Sequence, residues 1–188
     1  MSKGYSGLSG SSGISAGGGG ISATEERIFD SIRDKKRENL IVYDDKGNIV
    51  AREGGTKSHT GYEEHDYEGM NVVHNHPQGV GYYPSNQDLA TLHNSGAKSM
   101  TVVSPEHTIK IIRTDKVQQS NYSLRSEDTI SNARVNVQSP FGNLSAGQYR
   151  QKYGVSVKET NRMNAEYKVK RMKKLMEDAG YKVIIRGR

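Results

Sequence analysis

Cysteine is absent from the chain. Disulfides, thiol catalysis and every Cys-ligated zinc or iron–sulfur site are thereby excluded, and a metal site has to draw on His, Asp and Glu. Tryptophan is absent too, and phenylalanine occurs twice and proline four times in 188 residues. Hydrophobic residues make up 32% of the chain, or roughly 43% with its 21 glycines, just under the ~45–50% usual for globular chains. With a mean hydropathy of -0.80, this composition fills one modest core. That is one domain plus extensions. No apolar stretch approaches the ~18–20 residues of a membrane-spanning helix, so no membrane partner is expected. The N-terminus lacks the apolar run of a secretory signal, and the expected location is cytoplasmic.

Charge is unevenly spread. Residues 115–188 hold 15 Lys and Arg against 7 Asp and Glu, whereas residues 21–114 hold 11 against 14. The formal +6 therefore belongs to the C-terminal part. Such asymmetry reads either as a solvated helix face or as an arm for nucleic acid or an acidic partner, with Lys168, Lys170, Arg171, Lys173 and Lys174 as its contacts.

Four segments emerge along the chain. Residues 1–21 are rich in Gly and Ser and are expected to be a flexible lead. From 22 to 114 the pattern predicts a compact α/β unit with a mixed sheet flanked by helices. Ser22 with Glu25 makes a capping box, and Ile28, Phe29 and Ile32 share one face of a helix running to about Arg37. A β-hairpin follows, Leu40–Tyr43 returning through Ile49 and Val50 after a turn at 45–48. Residues 54–69 predict a loop, Asn71–His74 a short strand, 85–96 a second helix, and Met100–Val103 and Thr108–Ile112 two more strands. Residues 115–157 are polar and weakly patterned and are expected to be a linker or irregular segment. A basic helix is expected over 158–179, with Met163, Tyr167, Met172 and Met176 as its packing stripe, then a strand from Tyr181 to Ile185.

The chemistry concentrates in His74-Asn75-His76-Pro77 and in Ser85-Asn86-Gln87-Asp88. Residues two apart on a strand point to one side, so His74 and His76 can present both imidazoles to one point. Asp88 falls in the first turn of the next helix. Two imidazoles and a carboxylate suit zinc, and three protein ligands leave a fourth position for a water whose pKa the metal lowers. Ser85 with Asp88 is equally a capping box, and Asp88 can serve as cap and ligand together.

His-x-His-Pro followed by Ser-x-x-Asp resembles the signature of the JAMM (JAB/MPN) metalloprotease family, most closely its bacterial and phage branch with RadC-like proteins and phage head or tail proteins. The resemblance covers about 90 residues. It implies a compact cytidine-deaminase-like JAB/MPN domain, one zinc ion held by His74, His76 and Asp88, and Ser85 donating a hydrogen bond to a developing oxyanion. Eight residues separate His76 from Ser85 where the family usually has seven, and the Gly-rich turn absorbs the extra one. The family also uses an upstream Glu as general acid and base, for which Glu38 fits, directly before the first strand. Otherwise Glu38 is the solvated charge closing the Lys35–Arg37 run. Glu53, Glu63, Glu64 and Glu68 compete for that role. His59 and His65 fall in the polar loop, His93 and His107 are expected to be structural, and Tyr82 and Tyr83 either pack over the turn or meet an extended peptide.

The resemblance implies a metallopeptidase or isopeptidase acting on a protein or peptide, in phage or bacterial protein processing and virion-associated if of phage origin. Two other expectations compete: a non-enzymatic virion or interaction protein that keeps a structural metal site, and nucleic-acid binding through the basic tail.

Overall fold

The computed structural model describes residues 20–56 and 67–188. The expectations for the Gly/Ser lead up to residue 19 and for His59, His65, Glu63 and Glu64 lie outside the described residues.

Ser22 caps α1 (Ala23–Arg33), with the reciprocal Ser22–Glu25 bonds of the expected capping box, and Ile28, Phe29 and Ile32 are buried. The helix stops at Arg33 and not near Arg37. Arg33 is itself buried, its guanidinium donating to the carbonyls of Ser104 and His107, so the helix ends where it is pinned to a distant turn. Residues 34–37 then run exposed, and the chain turns inward at Glu38.

Strands β1 (Asn39–Tyr43) and β2 (Ile49–Gly54) form the hairpin, followed by β3 (Asn71–Asn75), α2 (Asn86–Asn94), β4 (Ser99–Val103) and β5 (His107–Ile112). The polar stretch 115–157 carries a short 3-10 turn and the helices α3 (Glu127–Asn132) and α4 (Ala146–Tyr153). Helix α5 (Val157–Asp178) leads into β6 (Lys182–Gly187). One mixed sheet results, in the order β2-β1-β3-β4-β5-β6, with β3 and β4 parallel and the other neighbours antiparallel.

Both faces of the sheet are covered. Ile41, Tyr43, Val73 and Val103 pack with α1, while Leu40, Val42, Val72, Met100, Ile109 and Ile111 pack with residues of α2, α3 and α5. This is why β3 and β4 are buried along their whole length. Of the expected Met stripe, Met172 and Met176 are buried with Val169 and Leu175, and Met163 and Tyr167 are half-buried. The tail thus packs on the α/β unit: β6 is the sixth strand of its sheet, and the buried His93 Nδ1 meets the Tyr181 hydroxyl at 3.0 Å.

Helix α5 ends in a Schellman turn, with Gly180 N–H bonded to the Glu177 carbonyl and Tyr181 N–H to that of Met176. Gly180 has φ +94°, and a Cβ there would lie 2.8 Å from the carbonyl carbon of Lys116. Gly180→Ala is therefore expected to destabilise the fold by about 1–3 kcal/mol or more, read as a lowered urea midpoint.

Candidate metal centre

Register places the ligands. Leu40 pairs with His74, and Leu40 packs on the α2 side, so the even-numbered residues of β3 face α2 and the strand delivers His74 and, just past its end, His76 to that face. The first turn of α2 supplies Asp88 from the same side. The ligand atoms of His74, His76 and Asp88 all lie within 4.8 Å of one another, and all three residues are buried. The two Nε2 atoms are 3.1 Å apart, and Asp88 Oδ1 is 3.5 Å from His74 Nε2. Two donors sharing a tetrahedral zinc at its usual bond lengths sit about 3.4 Å apart. This buried group has the donor set and the spacing to hold a divalent metal ion.

The surroundings orient two of the three donors, while the buried His74 Nδ1 has no partner among the described residues. His76 Nδ1 bonds the Gly81 carbonyl, which can only accept, so the Nδ1 atom carries the proton and Nε2 keeps its lone pair. Gly81 reaches that position through a turn at 77–80, closed by Val80 N–H on the Pro77 carbonyl with Gly79 at φ +93°, a value that glycine adopts freely. Asp88 closes the cap of α2 and keeps one oxygen toward the imidazoles. Its Oδ2 accepts from the Ser85 amide at 2.6 Å and from the Ser85 hydroxyl at 2.8 Å, while Oδ1 faces His74.

The charges follow from this packing. Burial pushes the His74 imidazole down, but the Asp88 carboxylate beside it, followed by the charge of Glu38, outweighs burial and leaves its pKa raised. His76 is held below its ordinary value by burial and by the neighbouring His74. Glu38 is 5% exposed and is thus no solvated end of the cationic run. Among its competitors, Glu53 is half-buried on β2 and Glu68 is exposed. Ser85 is the cap of α2, its hydroxyl committed to Asp88.

Two clefts border the loop between the ligands. One, of about 750 Å³, is lined by Lys35, Lys36, Pro77, Val80 and Pro105 among others. The second, of about 450 Å³, runs from Tyr83 and Ser85 to Tyr167, Lys168 and Met172. Tyr82 stacks on His107, with ring centroids 4.1 Å apart, and Lys168 stands over the Tyr83 ring. Of the cations of the basic tail, Arg171 is bonded into the fold, while Lys168 and Lys170 are exposed. Arg171 donates to the carbonyls of Ile130, Ser131 and Ala133 at the end of α3, while Lys173 pairs with Glu177 and Lys174 with Asp178. His93, 0% exposed, was legible as structural, but its hydroxyl partner 88 residues away was not.

Among the described residues no helix is long and apolar enough to cross a membrane. Compared with protein-family models, curated proteins and solved structures, the chain matches none.

Proposed function

We propose that the chain is a zinc-dependent peptidase or isopeptidase of JAMM type, acting on a protein or peptide, with residues 22–114 as a JAB/MPN domain. The observation that carries this reading is the convergence of His74, His76 and Asp88 in a buried cluster within the field of a buried Glu38. The element order of helix, hairpin, strand and helix supports the finer fold assignment.

Zinc held by these donors would supply Lewis-acid polarisation of a carbonyl and a more acidic water. Glu38 takes the proton of the attacking water and delivers it to the leaving amine. The Ser85 hydroxyl exchanges the Asp88 oxygen for the developing oxyanion, and the Ser85 amide keeps that carboxylate in place. The Gly81 carbonyl holds the His76 ring so that its lone pair stays aimed inward. The clefts on the ligand loop offer room for an extended chain, with Tyr83 and Tyr167 as its apolar contacts.

The burial of all three ligands favours a second reading, a non-enzymatic virion or interaction protein with a closed, structural metal site. Metal analysis tests the site common to both. Purified protein is expected to carry one zinc per chain, and His76→Ala and Asp88→Ala to carry none. A peptide library incubated with the zinc-loaded protein should yield products that a chelator suppresses. Zinc retained in both variants removes the site, and an uncleaved library removes the peptidase.

A further inference from the structure

Asn75 stands between the two imidazoles, and alternation along β3 turns its side chain to the opposite face of the sheet. It is completely buried. All three of its hydrogen bonds go to backbone groups of one short segment. Its Oδ1 accepts from the Asn39 amide at 2.7 Å, and its Nδ2 donates to the carbonyls of Arg37 at 3.1 Å and Lys35 at 3.2 Å. These groups bracket Glu38 on both sides.

The segment needs such a clamp. It lies between the end of α1 and the start of β1, so Lys35 and Arg37 have no helical or ladder partner for their carbonyls, and besides Asn75 the Arg37 carbonyl accepts from the Asn39 side chain at 2.8 Å. Residues 35–37 are exposed cations, and the next residue is a carboxylate at 5% exposure. Glu38 is held from its other side by Thr56 and Gly55, which bond its amide and its carbonyl at 2.8 Å each. Asn75 closes the opposite side. Few side chains do this: aspartate lacks both donors, glutamine is one methylene too long, and serine is too short to span two carbonyls and an amide.

We propose that Asn75 is a positioning residue: its amide fixes the 35–39 segment and with it the Glu38 side chain, which alternation from Leu40 places on the face of the sheet that carries His74. The proposal rests on the reading of Glu38 as the proton carrier of that site. The strand that presents both imidazoles on one face thereby also places, through the amide on its other face, the carboxylate proposed to work beside them.

The test uses full-length Asn75→Ala and Asn75→Asp, the latter keeping the size and the acceptor for Asn39 while losing both donors. Both are expected to retain one metal per chain, since no ligand is touched. Cobalt(II) replaces zinc as the spectroscopic probe. The visible spectrum of the cobalt protein is expected to shift in Glu38→Gln and to shift alike in both Asn75 variants, with amide exchange at Asn39 faster than wild type by at least about tenfold in Asn75→Ala, which alone removes the acceptor of that amide. In the hydrolysis assay, kcat per bound zinc falls about 10–100-fold with KM within about threefold of wild type. A cobalt spectrum that moves in Glu38→Gln but in neither Asn75 variant overturns the proposal, as does unchanged kcat per zinc. If wild-type protein cleaves nothing while the cobalt spectra behave as expected, the peptidase reading fails and the clamp stands.

Discussion

Glu38→Gln protein is expected to fold, to keep its zinc and to hydrolyse peptide substrate about 10²–10⁴-fold more slowly than wild type. Glutamine fills the same volume and keeps hydrogen-bonding capacity at a position 5% exposed, so the substitution opens no cavity. What it removes is the ability to carry a proton. The three candidate metal donors come from β3, its end and α2, none from the 35–39 segment, which is why zinc content should hold. Single-turnover hydrolysis at matched zinc loading is the measurement. A variant as active as wild type denies Glu38 the role, and a variant that loses zinc shows that Glu38 supports the ligands and not the reaction. For a structural metal site, the same substitution leaves nothing catalytic to lose.

Glu25→Ala is expected to cost about 3–5 kcal/mol, the usual penalty for leaving one member of a buried ion pair uncompensated. Glu25 is more than a cap. Its Oε2 accepts from the Ser22 amide at 3.0 Å, and its Oε1 takes the Lys110 ammonium and the Tyr43 hydroxyl, the latter at 3.0 Å. Side-chain exposure is 7% for Lys110 and 14% for Glu25, so little water screens the pair. Removal of the carboxylate strands a cation inside the fold. The double variant Glu25→Gln with Lys110→Met should recover most of the loss, because no charge is then left buried. Urea denaturation of the three proteins reads this directly, and a single variant within about 0.5 kcal/mol of wild type discards it.

The same pair sets an acid limit. Burial raises the Glu25 pKa, but the Lys110 bond and charge, with the Ser22 and Tyr43 bonds, win and leave it lowered from 4.5. A depressed folded-state pKa means that the stabilisation is complete above 4.5 and is lost as pH falls below it toward the folded value. Wild type should therefore lose urea resistance on acidification in that range, and Glu25→Gln should lose less.

Much of the site was legible because its pieces are local. His74 and His76 are two residues apart on a strand, and Ser85 and Asp88 stand at fixed offsets in a helix cap, so spacing alone set their relative directions. That the Asp88 cap would leave one oxygen over could be stated from sequence, because a carboxylate has two oxygens and the cap occupies one. Glu38 was harder. Next to Lys35-Lys36-Arg37 it has the look of a surface charge, and its burial follows only from contacts with Thr56, Gly55 and the sheet. Asn75 gave no signal, since its partners lie 36–40 residues upstream and are backbone atoms.

The sequence by itself determined most of the elements, though not α3 or α4: the apolar run of β1, the two-residue spacing of the imidazoles from β3, the capping boxes at Ser22 and Ser85, and the glycine that stops α5. It determined the donor types as well, since without cysteine only imidazole and carboxylate remain to bind a metal. Only the tertiary structure decided that the basic tail closes the sheet as β6, that its cations brace α3 and pair along α5, and that Lys110 finds Glu25 across 85 residues. The physical reason is the range of the forces involved. Periodicity and capping act within a few residues and leave their pattern in the local sequence, whereas strand neighbours and buried ion pairs are chosen by which surfaces remain to be covered once the core has formed.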